Sequence, residues 1–520
     1  MLGIKKKYYV KQELDDDKPS IHGRIKRNNN NDQNHQTGFC LMSMLELQKP
    51  IIDTPCWPVK KAAASTIIAV FLITVLMVSV GWLDISFSGV SSYQNMGVGS
   101  KSTTARHKPE FPLECSTENQ TQTCRRDYPT TTGIPPMNTS KVECPSFFRW
   151  IHEDLRHWKQ TGISRDMIEG ARKTAHFRLV IVKGKAYVEK YRNSIQTRDK
   201  FTLWGILQLL RMYPGRLPDL ELMFDCDDRP VVRSRDFQGP NARPPPLFRA
   251  ETNIRPWRNV LKEIKKGNER RKWKERVPYA YWRGNPSVAP TRKDLMKCNA
   301  TDKNNWNTLL YVQDWDRESK QGFKQSNLED QCTHRYKIYT EGWAWSVSEK
   351  YILACDSMTL YVRSRFYDFF IRGMQPLQHY WPISENTKCK SLKFAVEWGN
   401  IHPKKAIGEA AGKFLHEDLK MDNVYDYMFH LLNEYAQLLK FEPTVPPGSV
   451  ELCSETMACP RTGTWKKLMV ESLVMSPSDV TPCGMPPPYE PQELRDFLET
   501  KANSTRQVEM WESQYWLSQY

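Results

Sequence analysis

The densest acidic spot in the chain is Asp225-Cys226-Asp227-Asp228, which closes the apolar run LELMF at 220–224. Carboxylates at the carboxyl end of a strand can face a cleft. Three readings of this spacing stay open. Solvated acids at a strand-end turn would carry no chemistry. Asp225 and Asp227, one residue apart, could hold a divalent cation against a nucleotide diphosphate, because hard oxygen ligands suit such ions. One carboxylate could instead act as a general base and take the proton from an attacking hydroxyl.

Two further stretches have the composition of anion sites. Tyr281-Trp282-Arg283-Gly284-Asn285 ends a strand in a glycine turn, and Arg292 follows within a short loop. Guanidinium and backbone donors could meet a diphosphate there, although surface arginines on an ordinary strand-to-helix turn have the same pattern. Glu341-Gly342-Trp343-Ala344-Trp345-Ser346-Val347-Ser348-Glu349-Lys350 is a turn feeding a helix. Free N–H groups at such a start bind phosphate, and Ser346 or Ser348 could serve as a cap.

The elements that must position these residues alternate in type. FFRWIHEDLRHW has helical spacing, FRLVIVKGKAYVEKY reads as a hairpin turning at Lys183-Gly184, and FTLWGILQLLRMYPG as a helix stopped by Pro and Gly. Beyond the Arg/Pro-rich NARPPPLFR come a helix at NVLKEIKK and strands at PYAYWRGN, HRYKIYTEG and SMTLYV. AWSVSEKYILAC, AIGEAAGKFLHEDL and VYDYMFHLLNEYAQLLKF read as helices. This order predicts an α/β fold with parallel sheets, where ligands bind beyond the carboxyl strand ends.

The 520 residues suffice for a tail, an anchor and one large two-lobed domain. The net charge of +16 suits nucleic acid, anionic lipid or phosphorylated substrates alike. Ala62–Leu83 is uncharged and would span about 33 Å as a helix, the thickness of a bilayer core. Lys60 and Lys61 abut its start and no basic residue follows until Lys101, so residues 1–61 are expected in the cytosol and the rest in the lumen. The expected division is a basic tail over 1–61, a signal-anchor over 62–83, a stem over 84–143, a two-lobed domain over 144–475 and a C-terminal tail over 476–520. Sequons at Asn119, Asn138, Asn299 and Asn503 all fall on the lumenal side. So do eleven of the 13 cysteines, without paired CxxC motifs, which predicts disulfides and one cysteine left over.

FDCDDRP, YAYWRGNPSVAPTRKDL, QCTHRYKIYTEGWAWSVSEKYILACDSMTLYV and HLLNEYAQLLKF, in that order, resemble the Rumi/capsule-associated protein family, glycosyltransferase family 90, in its land-plant branch. The likeness covers residues 144–475. It implies two Rossmann-like lobes of GT-B type behind a transmembrane helix, and inverting transfer from a UDP-sugar with neither metal nor cofactor. Asp228, before the Arg-Pro, would be the base, with Asp227 the second choice. Asn285 and Arg292 would hold the donor beside Arg283 and Gly284, and Gly342, Trp343, Ala344, Trp345, Ser346, Val347 and Ser348 would surround its diphosphate.

Two departures from the family pattern stand out. Relatives with animal protein substrates carry Arg where this chain has Ser348, so Arg283 or Lys350 would have to meet the diphosphate charge. Plant-type relatives also have, between the positions of Phe248 and Ala250, a cysteine-bearing, aromatic-rich segment that is missing here, which would account for the odd cysteine. The leading expectation is an anchored lumenal enzyme of the Golgi or endoplasmic reticulum that moves glucose or xylose from UDP to a protein or cell-wall polysaccharide hydroxyl. A non-catalytic anchored member of the fold is the alternative. Nucleic-acid binding rests on charge alone and is not expected.

Overall fold

Apolar residues along 177–190 call for a hairpin, and the computed structural model of the chain forms one from β1 (Phe177–Val182) and β2 (Lys185–Lys190). Lys183 and Gly184 at the turn have φ of +50° and +74°, the backbone that a two-residue hairpin loop requires. The structure describes residues 110–115, 124, 137–194, 198–227, 256–302, 304–321, 327–402 and 405–519. Asp228, Asn119, the expected anchor at 62–83 and the junction at Phe248–Ala250 lie outside them. Among the described residues no helix is long and apolar enough to cross a membrane.

After the hairpin come α1 (Arg198–Met212) and β3 (Leu220–Phe224). The second lobe opens with α2 (Trp257–Arg270), β4 (Val277–Gly284), α3 (Pro290–Leu295) and β5 (Thr308–Val312). It continues through β6 (His334–Tyr339), α4 (Ser348–Leu353), β7 (Met358–Val362), β8 (Trp381–Ile383) and α5 (Lys388–Ile401). α6 (Lys405–Lys413), α7 (Met421–Ala436), β9 (Val450–Leu452) and α8 (Pro491–Leu517) complete the chain.

The two lobes differ in kind. The second carries a five-stranded, wholly parallel sheet of order β5-β4-β6-β7-β8. β7 is buried at every residue, as a strand covered on both faces must be. The first carries an antiparallel sheet of order β3-β1-β2-β9, which corrects the expectation of two Rossmann-like lobes. The reason is the hairpin itself: a two-residue turn can join only antiparallel neighbours, whereas a parallel pair needs a long crossover.

In the second sheet the chain steps from β4 outward to β5 and then across to the other side of β4, where β6 lies. The crevice between β4 and β6 at their carboxyl ends is therefore the topological switch point, where open α/β sheets bind ligands. One apolar core runs from Phe177, Leu222 and Phe224 of the first lobe to Tyr339, Leu353 and Tyr361 of the second. Across the same boundary Arg372 is bonded to buried Asp154 at 2.7 Å.

Five disulfides, Cys115–Cys459, Cys124–Cys453, Cys144–Cys483, Cys298–Cys389 and Cys332–Cys355, use ten of the eleven cysteines and leave Cys226 free and buried. Two of them fasten residues of the expected stem to the region just after β9. Residues 476–520, expected as a tail, contain the 27-residue α8. Its Trp511 lies 5.6 Å from Trp398 of α5 and 6.1 Å from fully buried Trp381 of β8. Trp511→Ala is expected to cost about 2 kcal/mol in thermal or urea unfolding, below the range for a fully buried indole because this one is half-buried. An unchanged midpoint would show that α8 is not integral to the second lobe.

Candidate active site

The acidic turn begins where β3 ends. Asp225 is buried, and its Oδ1 accepts the Asp227 backbone N–H at 2.9 Å, so this carboxylate serves first to shape the turn. The backbone N–H of Cys226 donates to His176 Nδ1 at 3.0 Å, which places the proton of the neutral ring on Nε2, 3.6 Å from Asp227 Oδ1. Burial lowers the His176 pKa, and the nearby Arg192 guanidinium lowers it further. Arg192 Nη2 lies 3.7 Å from Asp227 Oδ2 and 4.0 Å from Asp225 Oδ1.

His176, Asp225 and Asp227 thus bring three potential ligand atoms within 4.8 Å of one another. The Nδ1 lone pair is committed to Cys226, and Arg192 already brings a positive charge to the flank of both carboxylates. The three groups therefore form a turn whose carboxylate charge is partly compensated by Arg192. Cys226 is held by Ser194 Oγ at 3.0 Å, and burial pushes its thiol up to about 11. With Cys40 and Cys56 replaced by Ser, the full chain should therefore show one thiol to a maleimide probe only after denaturation. Rapid labelling of the native chain would place Cys226 at the surface.

The second cluster sits at the β4–β6 switch point. Asn285 Oδ1 accepts from Ser287 N at 2.8 Å and shapes the 3₁₀ turn after β4, from which α3 carries Arg292 back under the loop following β6. Arg292 is buried; its Nε donates to the Glu341 carbonyl at 3.0 Å, and its two terminal nitrogens to Ser346 Oγ at 3.0 Å and the Asn285 carbonyl at 3.5 Å. Burial lowers its pKa, so the guanidinium is a desolvated cation. Ser346 Oγ also meets Ser348 Oγ at 2.9 Å, and the Ser346 N–H donates to Tyr339 Oη at 3.2 Å.

The rest of that loop divides by role. A Cβ on Gly342 would meet an Arg292 nitrogen at 3.4 Å, an ordinary van der Waals contact, so this stretch of backbone lies close to the guanidinium. Ala344 and Trp345 pack with Phe366 and Val347 in a small core of their own, while Trp343 projects outward with 47% exposure. α4 has Val347 at its N-cap and no side-chain cap, so neither Ser346 nor Ser348 caps the helix; Ser346 bonds Arg292 and Ser348 instead.

Both residues expected to substitute for the missing arginine at Ser348 have partners within the protein. Arg283 lies 3.7 Å from Glu318, and Lys350 is buried over the rings of Trp257 and Tyr351. The guanidinium bonded into the turn itself is that of Arg292.

Several residues at these sites were missed by sequence reasoning. His176 and Arg192 flank the hairpin, far from Asp225 in sequence, and only the antiparallel sheet brings them to the turn. The Glu341 carboxylate holds Ser364 Oγ at 3.0 Å, Arg365 N at 2.8 Å and Arg365 Nε at 2.8 Å, linking the loops after β6 and β7. Thr340 is buried at the end of β6 with its hydroxyl unpartnered among the described residues, a polar atom left for water or ligand. The run YVRSRF at a strand end was the available signal for Arg365. Of the sequons, Asn138 and Asn503 are exposed, and Asn299 is half-buried with its Oδ1 accepting from Leu310 N.

A parallel sheet with a buried guanidinium at its switch point, beside a lobe whose β3 ends in the carboxylates Asp225 and Asp227, defines a two-lobed α/β domain. The chain belongs to glycosyl transferase family 90, whose profile matches residues 139–250 and 249–512, and it is a transferase. It is 23% identical to human protein O-glucosyltransferase 1 over 345 residues, covering 59% of this chain and 84% of the relative. The O-glucosyltransferase rumi homolog of Aedes aegypti is 25% identical, with 58% and 80% covered. O-glucosyltransferase rumi of Drosophila melanogaster is 20% identical over 406 residues, with 71% and 95% covered.

Proposed function

We propose that this transferase moves glucose or xylose from a UDP-sugar to a protein or cell-wall polysaccharide hydroxyl, with inversion and without a metal or cofactor. The names of the relatives favour glucose and a protein acceptor. Asp228 takes the proton of the acceptor hydroxyl as its oxygen attacks the anomeric carbon, and the bond to UDP breaks on the opposite face. Arg292, with Ser346, Ser348 and the backbone of Gly342 to Val347, meets the charge that develops on the leaving diphosphate. Arg283, Gly284 and Asn285 form the wall beside it.

The observation that carries this reading is the buried Arg292–Ser346 bond at the switch point, since a desolvated cation there is relieved by an arriving anion. An uncleaved anchor at 62–83 would hold the domain in the Golgi or endoplasmic reticulum lumen, with Asn119, Asn138, Asn299 and Asn503 open to glycosylation. The test is UDP release by the detergent-solubilised full chain, given UDP-glucose or UDP-xylose with chelator present. Release only after a divalent ion is added back would remove the metal-free part of the proposal.

A non-catalytic role is the second reading, and two observations favour it. The family profile matches in two pieces that meet at residues 249–250, and Cys226 beside the acidic turn has no disulfide partner. Absence of UDP release with either donor, while UDP still raises the unfolding temperature, would select it.

A further inference from the structure

Helix α2 and the turn after it carry eight exposed cations between residues 258 and 275, against three carboxylates, Glu263, Glu269 and Glu275. Trp257, Val260, Leu261, Ile264 and Gly267 occupy the buried face, so the helical period leaves Arg258, Lys262, Lys265 and Lys266 on the outer one. Arg258 is paired with Asp422 at 3.0 Å and Arg270 with Asp330 at 2.9 Å. Lys262, Lys265, Lys266, Arg271, Lys272 and Lys274 are in no ion pair among the described residues. From Arg258 to Arg270 the helix extends about 18 Å, and the turn prolongs the row. At its far end lies a cavity of about 310 Å³ lined by Arg270, Arg271, Asp330 and Thr333 among others.

The kind of partner follows from what the row lacks. None of the exposed large hydrophobic residues falls between 256 and 276, and Trp273 is half-buried, edge-on to Tyr336 at 5.8 Å. A helix embedded in a bilayer surface would present exposed apolar side chains, and a single-stranded nucleic acid would stack on exposed aromatic ones. An elongated row made mostly of ammonium groups acts through point charges and matches a linear polymer with charges at regular intervals.

We propose that α2 and the turn after it form a docking track for a linear acidic polysaccharide, carboxylated or sulfated. The track stands independently of the transfer reaction. The full chain in detergent would be titrated with polygalacturonate and with heparin over a range of salt concentrations, and with vesicles containing phosphatidylglycerol. Lys262→Glu/Lys265→Glu/Lys266→Glu would be compared with Lys159→Glu/Lys173→Glu/Lys390→Glu, exposed lysines elsewhere whose reversal changes net charge equally. Thermal unfolding would confirm that both triple variants fold.

Wild type and control should bind at least one polysaccharide, with affinity falling as salt rises. The track variant should bind about tenfold or more weakly, with a shallower salt dependence. Binding to polygalacturonate alone or heparin alone would assign the carboxylated or sulfated class. Equal losses in the two variants, no polysaccharide binding, or binding to vesicles alone would overturn the proposal. UDP release unchanged by the track variant would keep this result separate from any failure of the transfer reading.

Discussion

Asp228→Asn should lower UDP release by the full chain by about 10²- to 10⁴-fold, while the unfolding temperature and the stabilisation by UDP stay unchanged. Asn is nearly isosteric with Asp and keeps an acceptor, but it cannot take the acceptor's proton. The neighbouring substitutions should separate by mechanism. Asp225→Asn alters a buried carboxylate that accepts the Asp227 N–H and lies 3.3 Å from His176 Nδ1, so its main effect should be on stability. Asp227→Asn removes a half-buried carboxylate beside Arg192 and should change release less than tenfold. If Asp227→Asn instead abolished release and Asp228→Asn retained a tenth or more of it, the base would be Asp227. If all three variants lost release together and divalent ion restored the wild type after chelation, the turn would be a cation site.

How far the sequence leads depends on whether the signal is local. The Lys183-Gly184 turn, α1, β6 and β7 follow from residues within each segment, through turn chemistry and apolar periodicity, and they lie where expected. The parallel sheet follows from the alternation of strands and helices. The antiparallel first sheet was written in the hairpin, but pairing β2 with the three-residue β9 joins segments roughly 260 residues apart, and no local pattern encodes that. β8, Trp381–Ile383, is equally short, and α8 is polar along most of its length, so neither announces its packing against α5. At the site, Arg292 and Ser346 were legible as chemistry-bearing types, whereas the bond between them spans 54 positions and depends on the loop after β6 folding over the α3 guanidinium. His176 was invisible for the same reason: nothing in its neighbourhood in the chain says that a backbone N–H 50 residues away will donate to it.

Arg292 offers the sharpest test of the switch point, because removing it has opposed effects on the free protein and on the bound state. In the free chain Arg292→Met leaves the Glu341 carbonyl and Ser346 Oγ without their donor, at about 1–3 kcal/mol, but it also relieves the burial of a cation. These terms have opposite signs, so the unfolding temperature without ligand should move little. With UDP at about 100 times its Kd the wild type should gain about 2.7 kcal/mol, and the Met variant should lose most of that gain. Arg292→Lys keeps the charge and three donors, but a compact ammonium lacks the planar fork that reaches the Glu341 and Asn285 carbonyls and Ser346 Oγ together. It should retain part of the UDP stabilisation, while kcat falls by about 10²- to 10³-fold because the donors are no longer aimed at the leaving phosphate. A Met variant that UDP stabilises as strongly as wild type would place the diphosphate away from the β4–β6 crevice. Arg365, clamped to Glu341 on the loop after β7, would then be the next guanidinium to test.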